Sequence, residues 1–259
     1  MPELDVVIPV YNEGSGIVAV LEALESSVQT PFRVLICYDR EDDDTLPALA
    51  KYSPGGLEIV LVRNRGVGPH DAVMSGFCSS TAPAVLVYPA DDSYNTGILD
   101  SMYQKFAAGC DIVAASRFIA GGCMEGCPWL KAVMVRASAF TLHHLAKIST
   151  HDASNGFRLF SRRVLEQIEV ESSQGFTYSI ELLVKTHRLG WRICEVPARW
   201  FERKSGASRF RVLRWAGAYL RWYFYAFATT YLRRGPETVP IRKTSLASSE
   251  NSFFRQRSQ

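Results

Sequence analysis

Four short runs of Val and Ile between residues 4 and 88 are separated by stretches with apolar residues at helical spacing, and this alternation restricts the fold most. Residues 4–10, LDVVIPV, form the first run, a buried strand closed by Pro9. Residues 15–28 then place Ile17, Val20, Leu21, Leu24 and Val28 on one helical face. A second run at 33–38 leads into an acidic turn. Residues 45–52 read as a helix, 57–62 as a strand, 66–78 as a helix after a glycine turn, and 84–88 as a fourth strand. Strands and helices at this interval predict a mostly parallel, doubly wound sheet flanked by helices.

Beyond residue 88 the pattern is less regular. Strands are expected at 111–115, 156–160 and 191–196, with helices at 129–148 and 180–189. No internal repeat is evident. A chain of 259 residues, 47% apolar, can bury one large core with an appendage. A net charge of +3 is too small to argue for nucleic acid. Its distribution says more: acids gather early, as in Glu41, Asp42, Asp43 and Asp44, and arginines crowd residues 199–234. That asymmetry suggests one end for a metal or nucleotide and another facing anions.

The six cysteines show no framework spacing, and Cys123 and Cys127 lack the second pair that a metal site needs. The start, MPELDVVIPV, has no basic region and apolar run of a secretory signal. Reduced thiols in a cytoplasmic protein are expected.

Ligands of such sheets sit beyond the carboxyl ends of the strands. The first strand ends in VVIPVYNE, where Tyr11 offers an aromatic face and Asn12 and Glu13 offer polar edges. The same residues could form a plain capping turn. The second ends in CYDREDDDT, where Asp39 could bind a base or ribose hydroxyl and the other acids could cap a helix. The fourth ends in YPADDSY. Its two carboxylates suit either a hard divalent cation on a diphosphate or an Asx-type turn.

The order of these strand ends resembles the family-2 glycosyltransferases: VIPVYNE, an acidic strand end, NRGVGPHDAVMSG with Asn64, Gly66, Gly68 and Gly76, then an Asp-containing turn. The resemblance continues into segments of the polyprenyl-phosphate sugar transferases, the dolichol-phosphate mannose synthase type. These are ASRFIAGG (115–122), HDASNGFRLF (151–160), GFTYSIELLVKTHRLGWRICEVP (175–197) and RKSGASRF (203–210). The resemblance covers residues 4–234 and implies an α/β GT-A fold, Rossmann-like, with C-terminal amphipathic helices. It implies a catalytic domain over 1–208, a basic aromatic helical segment over 209–234, and a disordered tail over 235–259.

Carried over by position, Pro9, Tyr11, Glu13 and Asp39 would hold the nucleoside, and Asp91, with Asp92, would ligate Mg2+ or Mn2+. Arg117, Lys131 and Arg136 would face the acceptor phosphate. Arg203 and Arg209 would reach the donor diphosphate, and Asp91, Arg117 and Arg203 would carry catalysis. One departure stands out: the family's turn reads Asp-x-Asp, and here Pro89 replaces the first acid.

The implied reaction is inverting transfer of a hexose from a nucleotide sugar, of the GDP-mannose or UDP-glucose type, to a polyprenyl or dolichyl phosphate. Such an acceptor is already an anion and needs no general base. None of His70, His143, His144, His151 and His187 has an evident acid partner in the sequence. An alcohol acceptor would need a base, with Asp152 or Glu181 as candidates. Residues 209–234 mix Trp, Tyr and Arg, and Arg214 and Arg221 interrupt a run that spanning would keep apolar for about 20 residues. An interfacial helix is expected, with the protein peripheral at the inner face of the membrane. The alternatives are a helix packed on the sheet, the same fold with a saccharide or soluble acceptor, and an inactive sugar-nucleotide-binding homologue.

Overall fold

The computed structural model describes residues 2–201 and 212–242. Its elements begin with β1 (Leu4–Pro9), α1 (Gly16–Ser27), β2 (Phe32–Tyr38), α2 (Thr45–Lys51), β3 (Glu58–Arg63), α3 (Pro69–Ser79) and β4 (Ala84–Val87). Then come α4 (Leu99–Ala107), β5 (Ile112–Ser116), β6 (Cys123–Glu125), α5 (Trp129–Phe140), β7 (Arg158–Ser161) and α6 (Arg162–Gln167). The chain closes with α7 (Thr177–Arg188), β8 (Ile193–Pro197), β9 (Arg199–Phe201) and α8 (Val212–Tyr231).

Seven strands form one sheet in the order β3-β2-β1-β4-β7-β5-β8, and β6 pairs with β9 alongside it. Every neighbour in the large sheet is parallel except β7, which runs antiparallel to both β4 and β5. Successive residues of β1 serve opposite cores. Val6 and Ile8 pack with Ile17, Leu21 and Leu24 of α1, and Val7 packs with Val73 and Phe77 of α3. Both faces are covered, so the central strands read as unbroken apolar runs. Gly76 lets α3 close on the sheet. A Cβ there would lie 2.5 Å from Val7 Cγ1 and 2.8 Å from Cys37 Sγ.

Several boundaries depart from expectation. Residues 129–148 are α-helical only to Phe140 and continue as a π-turn over Thr141–Leu145. Thr141 Oγ1 donates back to Ala137 O (2.8 Å) and Ser138 O (3.1 Å), which competes with the helical ladder. Residues 235–242, expected in the disordered tail, instead pack: Val239 is buried and Ile241 bridges to Ile168. Residues 243–259, the rest of that tail, lie outside the described residues.

The thiol expectation also needs correction. Cys110 and Cys194 form a disulfide, with a Cα–Cα distance of 6.0 Å across a sequence separation of 84. Cys194 lies in β8 opposite Val113 of β5, and Cys110 lies just before β5. Adjacent strands bring the thiols together, which linear spacing does not reveal. Cys37, Cys78, Cys123 and Cys127 are in no disulfide.

Candidate active site

The parallel strands end on one edge of the sheet, and β7, being antiparallel, begins there. That edge collects nearly all the polar residues singled out in the sequence. After β1, Asn12 takes a left-handed conformation (φ 51°), and three successive amides turn toward the acidic segment after β2. Asn12 N–H donates to Asp43 (3.0 and 3.1 Å), Glu13 N–H to Thr45 Oγ1 (3.1 Å), and Gly14 N–H to Asp44 (2.8 Å). Asp43 is buried and also accepts from Thr45 N–H (2.9 Å). Asp43 and Asp44 are therefore the clamp that shapes the Pro9–Glu13 turn.

Beside this clamp lies a cavity of about 220 Å³ lined by Tyr11, Asn12, Arg40, Asp42 and Asp43. The Tyr11 ring is half-exposed, as a stacking face must be. Arg40 and Asp42 pair in its wall at 2.6 and 2.5 Å. Asp39 reaches the neighbouring loop instead. It accepts from Asn64 Nδ2 (2.5 Å) and Gly68 N–H (2.8 Å), tying the ends of β2 and β3 together. Gly66 is required in that loop, because a Cβ there would collide with the Asp71 carboxylate.

After β4, the two acids of the turn separate in role. Asp92 Oδ1 accepts from the Tyr94 and Asn95 amides (2.9 and 3.0 Å), and Oδ2 from Asn95 Nδ2 (2.6 Å). Asn95 in turn exchanges two bonds with Arg199 of β9 (2.7 and 2.8 Å). Burial pushes the Asp92 carboxyl up despite the bonds from Asn95 and Tyr94. Both oxygens of Asp92 are thus engaged inside its own turn, whereas Asp91 is exposed. Among the described residues, no group of three or more His, Cys, Asp or Glu side chains could hold a metal. A cation here fits only as a hard ion that takes most of its oxygens from a bound diphosphate or water.

At the end of β5, Arg117 is held by a buried acid. Its Nε and Nη2 grip the two Asp152 oxygens (2.7 and 2.9 Å), its own amide donates to Asp152 (3.1 Å), and Nη2 also reaches Ser154 Oγ (2.7 Å). Asp152 is fully buried. Burial pushes its carboxyl up, but the Arg117 guanidinium outweighs this and holds it below the usual carboxylate range. The sheet's other buried guanidinium, Arg158, holds the same loop by donating to Asp152 O and Ala153 O (3.3 and 2.6 Å) and to Ser179 (2.5 and 2.9 Å). Burial lowers its pKa to about 10. Its position in GFRLF gave no sign of this positioning role.

Helix α5 lies across this end. Arg117 and Arg136 approach the Phe118 ring at 5.3 and 5.4 Å, and Lys131 sits 5.0 Å from the Trp200 ring. The structure therefore brings Arg117 and Arg136 to one aromatic ring and sets Lys131 on another. Arg203 and Arg209 lie outside the described residues.

The two base candidates are both occupied. Asp152 pairs with Arg117, and buried Glu181 accepts from Lys185 Nζ (2.6 Å) and from the Glu171 and Ser172 amides (2.7 and 2.8 Å). The histidine expectation is corrected as well: His151 Nδ1 meets Glu195 at 2.5 Å and His70 Nδ1 meets Asp71 at 3.3 Å. These partners are distant in sequence or on adjacent helix positions, where no motif pairs them.

The family model of Glycosyl transferase family 2 matches residues 5–169, more than half of the chain and every strand of this edge except β8. The chain belongs to glycosyl transferase family 2. The polyprenol monophosphomannose synthase of Mycolicibacterium smegmatis is 27% identical over 212 residues, covering 79% of each chain. An uncharacterized glycosyltransferase of Mycobacterium tuberculosis is 28% identical over 204 residues, 79% of this chain and 88% of that one. Among solved structures, glucosyl-3-phosphoglycerate synthase of Mycobacterium tuberculosis, in complex with Mn2+, UDP and glucosyl-3-phosphoglycerate, superposes with a TM-score of 0.60. It is 18% identical, with 88% of this chain and 79% of that chain covered. At that identity the likeness speaks for the GT-A fold. This family-2 member is a glycosyltransferase whose sheet edge offers an aromatic cavity with an acidic clamp at β1–β2, and a cationic cluster where β5 meets α5.

Proposed function

We propose that the enzyme transfers a hexose from a nucleoside diphosphate sugar to a polyprenyl phosphate, with inversion at the sugar carbon. The observation that carries this is the absence of a free base among the two candidates: Asp152 and Glu181 are both locked in buried ion pairs. An alcohol acceptor would require such a base to take its proton. Among the described residues the His151–Glu195 pair is the arrangement left to supply it. A phosphate monoester is already a nucleophilic anion, and Arg136 and Lys131 on α5 supply the cationic surroundings that would orient it. The M. smegmatis relative's name, a polyprenol monophosphomannose synthase, supports the same acceptor class.

In the proposed step an oxygen of the acceptor phosphate attacks the anomeric carbon, and the bond from that carbon to the diphosphate breaks. The electron pair leaves with the nucleoside diphosphate, and no proton need be moved. Tyr11 would stack on the base, with the Pro9–Glu13 turn and Asp39 shaping the nucleoside end. Arg117 is a positioning residue that fixes the 152–155 loop beside the acceptor. Arg203 and Arg209 are proposed for the donor diphosphate. Asp91 would hold Mg2+ or Mn2+, whose charge offsets that of the leaving diphosphate. Structural neighbours bound to Mn2+ and UDP-glucose support a metal and a nucleotide-sugar donor. We place the enzyme at a membrane surface, since the acceptor is a lipid.

The test is a radiolabel transfer assay with magnesium or manganese, a short polyprenyl phosphate in detergent, and GDP-mannose and UDP-glucose in parallel. Label in the lipid phase, lost in Asp91→Ala, is the expected result, with the opposite anomer in the product. Transfer only to 3-phosphoglycerate or to a saccharide would overturn the lipid acceptor, and a retained anomer would overturn inversion.

A further inference from the structure

The two edges of the large sheet are built differently. Strand β8 closes one edge, carries Glu195 in its middle and ends in Pro197. A charge or a proline on an edge strand hinders pairing with another chain. Strand β3 closes the other edge with the sequence EIVLVR. Its only charges, Glu58 and Arg63, stand at its two ends with four apolar residues between them. Leu61 is 52% exposed, and Ile59 and Val60 are half-buried. Among the described residues no strand pairs with the outer side of β3.

The hydrogen-bond phase of β3 shows which residues are placed to receive a new strand. Asn64, just past its end, turns its N–H to Tyr38 O of β2 (2.8 Å). In a parallel strand one residue directs both its N–H and its C=O to one side, and the next residue directs them to the other. Val62, Val60 and Glu58 therefore also face β2, in keeping with their register partners Cys37, Leu35 and Arg33. Ile59, Leu61 and Arg63 direct theirs outward. Leu61 thus joins the most exposed apolar side chain of the strand to an outward-facing backbone.

A second copy of β3, running antiparallel, satisfies this edge by symmetry. A two-fold axis normal to the sheet pairs residues whose side chains share a face, so outward residues meet outward residues. With the axis at Leu61, Leu61 exchanges both backbone bonds with Leu61 of the second copy. Ile59 does the same with Arg63 of the second copy, and Arg63 with its Ile59. All three outward residues are then engaged, whereas moving the axis by one residue leaves Ile59 or Arg63 beyond the end of the paired strand. Charge favours the same direction. Antiparallel approach sets each Arg63 beside the Glu58 end of the second copy, and parallel approach would set like charge on like.

We propose that β3 pairs with β3 of a second copy about a two-fold axis at Leu61, joining the two sheets into one. The proposal rests on neither the donor nor the acceptor reading. Sedimentation velocity of the full-length protein is expected to show a dimer that dissociates on dilution. Leu61→Arg sets two like charges on the axis and should give a monomer at the same concentration. Leu61→Pro removes only an outward N–H, leaves the β2 ladder intact and should weaken the dimer by at least about tenfold. Unchanged circular dichroism and melting show that the variants fold.

The register has its own test. A hydrogen-bonded antiparallel pair holds its Cα atoms about 5.5 Å apart, within reach of a disulfide. Oxidation of Leu61→Cys with copper phenanthroline should therefore give a crosslinked dimer on a non-reducing gel. Val60→Cys lies opposite Val62 of the second copy rather than itself, and should not crosslink above the wild-type background. A wild-type monomer at all concentrations would overturn the proposal. So would a dimer that survives both Leu61→Arg and Leu61→Pro, or equal crosslinking of the two cysteine variants.

Discussion

The Arg117–Asp152 pair makes a sharp prediction, because removing one partner or the other should cost stability over different pH ranges. Asp152 accepts five hydrogen bonds: three from Arg117, one from Ser154 Oγ (3.0 Å) and one from Asn155 N–H (3.2 Å). Asp152→Asn preserves the shape but removes the charge. It also turns an amide NH2 toward the guanidinium, leaving Arg117 with a side chain only 10% exposed and no counter-charge. Breaking a buried pair from one side costs about 3 to 5 kcal/mol. The lower figure, about 3 kcal/mol, suits Arg117, which keeps Ser154 and a little solvent. In a chain of this size that corresponds to a fall in Tm of about 10 °C.

The sign of the pH dependence follows from Asp152's depressed pKa. A carboxylate depressed in the folded state contributes stability that is present above its unfolded value of about 3.9 and is lost as pH falls through the folded value. The cost of Asp152→Asn should therefore be flat from about pH 8 to about pH 5 and shrink only below about pH 4. Arg117→Met leaves the opposite defect, a buried carboxylate with no cation. Burial alone then raises its pKa, so protonation relieves the defect. The cost of Arg117→Met should shrink well above pH 4, where that of Asp152→Asn is still flat. Urea unfolding of wild type and both variants across this range measures both trends. An Asp152→Asn cost under about 1 kcal/mol, the worth of an exposed pair, would refute the pairing and return Arg117 to the acceptor as a free cation.

Two further perturbations probe the frame that holds the site. Gly76→Ala places a methyl 2.5 Å from Val7 Cγ1 and 2.8 Å from Cys37 Sγ, so α3 must shift. We expect a loss of about 1 to 3 kcal/mol in urea unfolding, and weaker nucleotide binding because the 64–68 loop moves with the helix. Reduction of the Cys110–Cys194 bond, which spans 84 residues, should lower stability by about 4.5 kcal/mol on a chain-entropy estimate. Thiol titration of the unfolded protein should rise from four free cysteines to six on reduction, and equal titres before and after would show that the bond does not form.

Local periodicity made the first half of the fold legible. β1, α1, β2 and α2 lie within two residues of where their patterns placed them, since each strand is apolar on both faces and each helix carries one apolar stripe. The later half was harder because its signals are tertiary. β7 runs antiparallel between two parallel neighbours, a reversal that four residues cannot announce. β6 and β9 have three residues each and exist only because they pair. Asp92 illustrates the limit at the site: two adjacent acids in PADDSY are equivalent on paper. The direction of Asn95, held by a strand more than 100 residues on, decides which of them shapes the turn. Asp152 was legible as an acid near the chemistry, but not as the partner of Arg117, 35 residues away.

The sheet order explains why the charge asymmetry of the sequence matters. Strands β3, β2, β1 and β4 are contiguous, so Asp39, Asp43, Asp44 and Asp91 all arrive on one half of the edge. Strand β5 lies beyond β7, so Arg117 and the α5 cations arrive on the other half. An acidic run and a basic run far apart in the chain become two neighbouring fields along one rim. A donor carrying its own diphosphate spans such a rim well. In the proposed reading its nucleoside would lie among the acids, with a cation offsetting their charge, and its sugar toward the arginines. In this arrangement Pro89 costs less than a missing carboxylate suggests. Position 89 follows the last residues of β4, with Tyr88 buried and its hydroxyl bonded to Asp92 O at 2.7 Å. Proline stiffens that exit while Asp92 fixes the turn, and Asp91 beside it is exposed. One carboxylate with two phosphates is a known sufficiency for a hard cation that keeps several waters. If Asp91 is the metal ligand, the ion should bind the enzyme poorly alone and arrive with the donor. Titration with Mn2+ should then show tight binding only when the nucleotide sugar is present.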